Sequence, residues 1–276
     1  MEIPILSPLW GHEHLDLKTF LDKIRLVGYN GVDTWLPDSL GDRKLLYEYL
    51  QKYKMLIVAH QHSASGSTFK KFRSSFLKNL YECAESDPIL INSHTGRDYF
   101  TPSSNIALIE TALEFTAKTG ILVAHETHRG RFAYSPQVTS GYFAMNKDFC
   151  ITADLSHWVC VTESMLENFK TIVGQALKRS RHIHARIGFE QGPQITDPRD
   201  PIWKYALDTF LLWWDKIVSL NVAAGRKILP ITTEFGPVPY MVKLPFSNEL
   251  ISDQFEINCF MKDLLAERYA SYRKCY

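Results

Sequence analysis

The chain has 276 residues, of which 45% are hydrophobic and 22% charged, with a formal net charge of +1. That length and composition suit one large domain with a sizeable core and leave no reason to expect disorder beyond the termini. A balance this near neutral gives no global attraction for nucleic acid or an anionic membrane surface, and no apolar run approaches the ~18 residues of a membrane span.

Strand-like and helix-like segments alternate from end to end. A first strand is read at residues 3–9, then a helix from Asp16, a plausible cap, to about Leu26, with Leu17, Phe20, Leu21, Ile24 and Val27 as its apolar stripe. Gly28 ends it, and residues 31–35 form the second strand. A helix over about 40–53 leads to a third strand at 55–60, and a helix over about 68–84 to a fourth at 88–93. The next helix, 102–119, opens at Pro102 and closes at Gly120, matching known boundary preferences. Four further strands follow, separated by helices near 136–147, 162–179 and 201–222. An amphipathic C-terminal helix with Phe255, Phe260, Met261, Leu264 and Leu265 completes the circuit.

About eight strand–helix units without a dividing linker predict an α/β chain folded as one closed (β/α)8 TIM barrel over residues 1–276. A doubly wound open sheet is the alternative, but its Gly-rich phosphate turn is missing after the first strand. The segment 188–201, with two Gly and three Pro, is unusually long for a strand–helix connection. It is read either as an active-site lid or as a surface excursion packed for its own sake.

Cys83, Cys150, Cys160, Cys259 and Cys275 are odd in number and free of CxxC spacing. They read as packing thiols of a reducing compartment. With no basic n-region before an apolar stretch, a cytoplasmic location is expected. Lys70-Lys71 with Arg73, and Lys178-Arg179 with Arg181, read as solvated helix edges. Trp203, Phe210, Trp213 and Trp214 form a stripe on one predicted helix, read first as packing against the barrel and second as the contact of a homo-oligomer.

Four residues near the ends of successive strands carry the chemistry. They are Glu126 in Ile121-Leu-Val-Ala-His-Glu126, Asp154 in Phe149-Cys-Ile-Thr-Ala-Asp154, His184 in Arg181-His-Ile-His184 and Glu234 in Ile228-Leu-Pro-Ile-Thr-Thr-Glu234. A barrel of parallel strands keeps its active site at the strand C-terminal ends. A single carboxylate there is most often a helix cap or a surface charge. Three carboxylates and an imidazole at equivalent positions would repel or strand charge unless a divalent cation joined them. By strand parity Glu126 shares a face with His128, His184 with Arg186 and Glu234 with Thr232, while His125 faces the layer behind.

The stretches Glu126-Thr-His-Arg129, Asp154-Leu-Ser-His157, the strand-end His184 and Thr233-Glu-Phe-Gly236 resemble the xylose-isomerase-like TIM barrels, which include ketose epimerases, hydroxypyruvate isomerase and inosose dehydratase. The resemblance covers essentially the whole chain. It implies that Glu126, Asp154, His184 and Glu234 ligate one divalent ion (Mn, Co, Mg or Zn), and that His157 contacts substrate oxygens. It further implies that Glu126 and Glu234 double as the acid–base pair of a sugar isomerase or epimerase. The substrate would be a small sugar, sugar acid or sugar phosphate. The chemistry of an α-hydroxycarbonyl fits that set: a cation bridging adjacent oxygens stabilises an enediolate while carboxylates move the α proton. Where such epimerases often carry an arginine six residues beyond the histidine ligand, this chain has Glu190. Arg186, on the ligand's own face, is the candidate substitute.

Further substrate-binding candidates are His60, His94, Arg97, His128 and Trp35, with His62 and Trp10 beside them. Arg97 and Arg186 suit a phosphate or carboxylate, or equally a structural salt bridge. Each histidine is as readily a satisfied structural group. Two other functions compete. One is a metal-dependent phosphoester hydrolase resembling endonuclease IV, in which His60 or His62, His94 and His157 would add to a three-zinc cluster. It is disfavoured because Asp197-Pro-Arg199 places arginine where that family has a histidine. The other is a barrel that binds a sugar or polyol without turning it over.

Overall fold

The computed structural model describes residues 1–272, so Cys275 lies outside the described residues. Eight parallel strands close on themselves in chain order: β1 (Ile5–Pro8), β2 (Gly31–Thr34), β3 (Leu56–Gln61), β4 (Leu90–Ser93), β5 (Val123–Glu126), β6 (Cys150–Ala153), β7 (Ser180–His184) and β8 (Ile231–Thr232). Closure is through β1 and β8, with Ile5 opposite Ile231 and Leu6 opposite Thr232. The predicted (β/α)8 barrel is therefore the observed fold.

Helices α1 (Leu17–Leu26), α2 (Leu40–Tyr53), α3 (Phe69–Ala84), α4 (Pro102–Thr119) and α5 (Pro136–Met145) fall within a residue or two of their expected places. They start where they do because Asp16, Ser39, Thr68, Thr101 and Ser135 each accept a hydrogen bond from a first-turn N–H. Helix α4 stops at Gly120, which takes the left-handed conformation (φ 76°) that glycine adopts without a Cβ clash.

The expected single helix over 162–179 is corrected. Two helices stand there, α6 (Leu155–Thr162) and α7 (Lys170–Arg179). Glu163 and Leu166 between them have positive φ, which breaks the helical path. Helix α8 (Lys204–Ala223) follows a short 3₁₀ turn, and α9 (Gln254–Arg268) lies after β8. Phe210 and Trp214 are fully buried against the barrel, with Trp203 and Trp213 half-buried beside them. That stripe is core. No helix among the described residues is long and apolar enough to cross a membrane. Cys83 and Cys150 are buried free thiols, and Cys160 and Cys259 are half-buried ones.

Strand parity sorts side chains into two environments. Outward residues such as Ile5, Ile57, Ile151, Ile183 and Ile231 join the apolar layer under the helices. Inward residues form a separate small cluster of Leu6, Val58, Leu90, Ala124 and Cys150 at the barrel floor. Two residues further along the same inward rows stand Asn92, Glu126 and Thr152, so the interior turns from apolar to polar toward the strand C-termini.

The barrel wall leaves little room at one inward position. A Cβ on Gly31 would stand 2.1 Å from the Leu56 carbonyl oxygen of the neighbouring strand. Backbone cannot swing aside as a side chain can, so Gly31→Ala is expected to lower stability by about 1–3 kcal/mol in urea unfolding. An unchanged midpoint would show that the β2–β3 seam is looser than this.

Candidate active site

Each ligand candidate is delivered by its strand. Glu126 ends β5, His184 ends β7, Asp154 lies one residue beyond β6 and Glu234 two beyond β8. All four are buried. One donor atom from each lies within 4.8 Å of the others. Asp154 is also the N-cap of α6, its side chain accepting from the Ser156 N–H at 3.1 Å. The mundane reading of a strand-end carboxylate, a helix cap, thus holds here alongside the chemical one.

Around this group lies a cavity of about 310 Å³, lined by Trp10, Trp35 and Tyr240 on its apolar sides and by Asp33, His60, His62, His94, Glu126, His128, Arg186 and Glu234 on its polar ones. That volume is at the small end of ligand pockets. His157 is wholly buried behind the wall, in the first turn of α6, where its Nε2 accepts from Arg186 Nη2 at 2.8 Å. Arg97 stands elsewhere. Its guanidinium donates to the carbonyls of Gly96 (2.8 Å) and Ala64 (3.2 Å) and lies over Phe72, so the expected substrate contact is corrected to a loop-bracing role. Glu190, too, is remote, accepting from the Tyr205 hydroxyl at the surface.

The segment 188–201 contributes no lining residue. It folds down instead, burying Ile195, and its Gln194 amide brackets Gly236 by accepting from its N–H (2.7 Å) and donating to its carbonyl (3.2 Å). It is therefore a packed buttress for the backbone beside Glu234.

The electrostatics follow from burial. Arg186 lies against Asp154 and 3.7 Å from Glu234, fully buried. Burial pushes the Asp154 carboxyl up to about 6; Arg186 opposes this, and repulsion from Glu234 and Glu126 adds to it. For Glu126 burial also raises, but His94 and His184 overcome it and hold this carboxyl well below its usual range. Its Oε2 accepts from Asn92 (2.8 Å) and lies 3.0 Å from His94 Nε2. Burial disfavours charge on His184, yet Glu234, Glu126 and Asp33 hold its imidazole well above the ordinary value. His60, His128 and His157 are pushed well down, first by burial, and are neutral.

Two atoms stand out. His184 Nδ1 and Glu234 Oε2 are 2.7 Å apart, yet each is buried without a hydrogen-bond partner because the geometry between them is wrong for one. Both face a shared point, where Glu234 offers a lone pair and His184 offers one once its Nδ1 proton is lost. A cation with ~2.1 Å bonds holds its ligand atoms roughly 3–4 Å apart; this pair is closer than that, while the four donor atoms together, within 4.8 Å of one another, and their mixed oxygen–nitrogen set suit a divalent metal. His60, His94 and Glu126 form another group with ligand-like spacing. There, however, Arg131 Nη2 approaches His94 Nδ1 at 3.3 Å.

Asp33, Asn92, Tyr240 and Arg131 were not singled out in the sequence. Asp33 stands inside the second strand, after only Gly31 and Val32, so no strand-end signal marked it. Tyr240 lies in a loop where no periodicity points inward.

Arg186→Met should leave Asp154 buried without its counter-charge. The expected loss is about 3–5 kcal/mol at pH 8. Without the guanidinium the carboxyl titrates higher still, so the loss belongs to the pH range above that pKa and shrinks as the pH falls below it. Urea unfolding at pH 8 and pH 5 checks this, and an equal deficit at both would contradict the assignment.

No family model and no curated protein sequence matches the chain. Similar folds are found among solved structures. A xylose isomerase domain containing protein from Salmonella typhimurium aligns with a TM-score of 0.61 at 11% identity, over 96% of this chain and 98% of the other. D-psicose 3-epimerase from Clostridium cellulolyticum aligns at 0.59 with 14% identity, over 97% and 99%. The 3-keto-D-glucoside 4-epimerase of E. coli aligns at 0.59 with 11% identity, over 96% and 100%. Identities this low speak to fold alone. In fold the chain is a TIM barrel similar to these proteins.

Proposed function

We propose that this protein is a divalent-metal-dependent isomerase or epimerase of a small sugar or sugar derivative, acting by proton transfer at the carbon α to a carbonyl. The observation that carries it is the convergence of Glu126, Asp154, His184 and Glu234 donor atoms beneath one small, aromatic-walled cavity. When bound, a cation in that group supplies the positive charge that polarises the substrate's carbonyl.

The chain's own groups perform the remaining work. Trp10, Trp35 and Tyr240 offer flat apolar surfaces for the C–H face of a sugar. Glu234 keeps Oε2 free of hydrogen bonds at the cavity edge and is placed to take the α proton. Glu126, steadied by Asn92 and His94, is the complementary carboxylate that returns a proton from its own side. Arg186 keeps Asp154 and Glu234 in register. The neutral His60 and His128 offer lone pairs or N–H groups to substrate hydroxyls. The similar folds include epimerases of sugars, which supports this substrate class without choosing a sugar.

Glu126→Gln and Glu234→Gln are each expected to lower turnover about a thousandfold while leaving the melting temperature within a few degrees. The assay is solvent deuterium uptake at the α-carbon across a panel of sugars, sugar acids and sugar phosphates. Near-normal exchange in either variant would remove that residue from the acid–base pair. Binding without exchange in the parent protein would point to a sugar-binding barrel instead.

Chelation should abolish exchange, and Mn²⁺, Co²⁺, Mg²⁺ or Zn²⁺ should restore it. Cation binding should release close to one proton and tighten as the pH rises, because the ion displaces a proton from an imidazole held above its usual value. Calorimetry in buffers of different ionisation enthalpy reads this directly. Retention of about three ions per chain would favour the hydrolase.

A further inference from the structure

Beneath the four ligand candidates lies a second buried layer, formed by Asp33, Thr152, His182 and Thr232 on four different strands. Its hydrogen bonds run in one direction. Thr152 Oγ1 lies 3.2 Å from His182 Nδ1, and His182 Nε2 lies 2.8 Å from Thr232 Oγ1. Thr232 Oγ1 donates to Asp33 Oδ2 at 3.0 Å, and His184 Nε2 lies 3.0 Å from that same oxygen.

The direction can be derived from the far end. With Asp33 as a carboxylate, Oδ2 only accepts, so both Thr232 and His184 Nε2 donate to it. Thr232, having given its proton to Asp33, accepts from His182 Nε2–H. His182 Nδ1 is then left as an acceptor for the Thr152 hydroxyl. A single assignment of protons accounts for these four contacts, leaving Asp33 Oδ1 without a partner, and the assignment ends on His184.

We infer that Asp33 is the positioning residue of the cation site: it holds the proton of His184 on Nε2, so that Nδ1 presents its lone pair to the point shared with Glu126, Asp154 and Glu234. Without that carboxylate the imidazole is free to carry its proton on Nδ1 or to turn about its own axis. Either change takes the nitrogen away from the shared point. Partners that orient a ligating histidine in this way generally contribute 10–100-fold to metal affinity. The inference rests on the cation reading given above and adds to it which residue outside the ligand group sets the affinity.

The test uses the full chain with Co²⁺ alone, read by equilibrium dialysis and by the visible absorption of the bound ion, without any substrate. Asp33→Leu removes the acceptor while filling its space and is expected to weaken Co²⁺ binding 10–100-fold and to alter the absorption band. Asp33→Asn keeps an acceptor oxygen and should recover most of the affinity, remaining about 3–10-fold weaker than the parent. Asn221→Ala serves as the control. Asn221 is buried and bonded to Ser180 and Ile217 carbonyls at the opposite end of β7. Its loss should reduce stability without moving the Co²⁺ dissociation constant.

A folded Asp33→Leu protein that binds Co²⁺ like the parent overturns the inference. Should the leucine variant not fold, an asparagine variant within twofold of the parent overturns it equally. A parent protein that binds no Co²⁺ sinks the cation reading and this inference together, whereas parental binding with unaltered variants sinks this inference alone.

Discussion

The carboxylates of Asp33, Glu126, Asp154 and Glu234 are all buried in one barrel mouth, and the arrangement of the site follows from how each is balanced. Asp154 has Arg186, Glu126 has Asn92 and His94, and Asp33 has Thr232 and His184. Glu234 Oε2 and Asp33 Oδ1 are each left buried without a hydrogen bond. Desolvated like charges at this spacing oppose folding unless something positive joins them. His184 supplies part of it, its imidazole held above the ordinary value by those carboxylates, whereas burial drives His60, His128 and His157 to their neutral forms. A cluster that works against stability and leaves buried oxygens without partners is a candidate binding site.

The barrel makes such a cluster affordable in only one place. At the floor, Leu6, Val58, Leu90, Ala124 and Cys150 close the interior with apolar contacts. Above them Thr152, His182, Thr232 and Asp33 form a hydrogen-bonded layer. The charged groups come only at the strand ends, where loops and an open cavity supply partners. Because parallel strands all point the same way, one inward row per strand produces this gradient everywhere at once.

Much of this was legible in the sequence. The alternation of runs and the caps at Asp16, Thr68 and Pro102 with Gly120 located the elements. The three acids and one histidine near the ends of four successive strands located the ligand candidates. The helix expected over 162–179 missed α6 and began too early for α7, because the sequence does not reveal the positive φ at Glu163 and Leu166. Arg97 misled because its charge pointed to a ligand, whereas its donors are taken by loop carbonyls. Asp33 was passed over because it lies within its strand, not beyond the end of an apolar run. Its partners, His184 and Thr232, are 151 and 199 residues away in the chain, and only barrel closure through β1 and β8 brings those strands near.

The tautomer of His94 bears on how many cations the site can serve. A guanidinium can only donate, so with Arg131 Nη2 at 3.3 Å the His94 Nδ1 must accept. The ring proton then lies on Nε2, where it is donated to Glu126 at 3.0 Å. The His60–His94–Glu126 group has the spacing of a metal site, but it presents a proton where a cation needs a lone pair. Glu126 therefore faces His184 with Oε1, at 3.7 Å, while Oε2 is held by hydrogen bonds. Two-cation centres hold an attacking and a leaving oxygen in line for displacement; one cation flanked by two carboxylates is suited to moving a proton between carbons. The protonation of a single imidazole, fixed by an arginine on the next loop, favours the second chemistry.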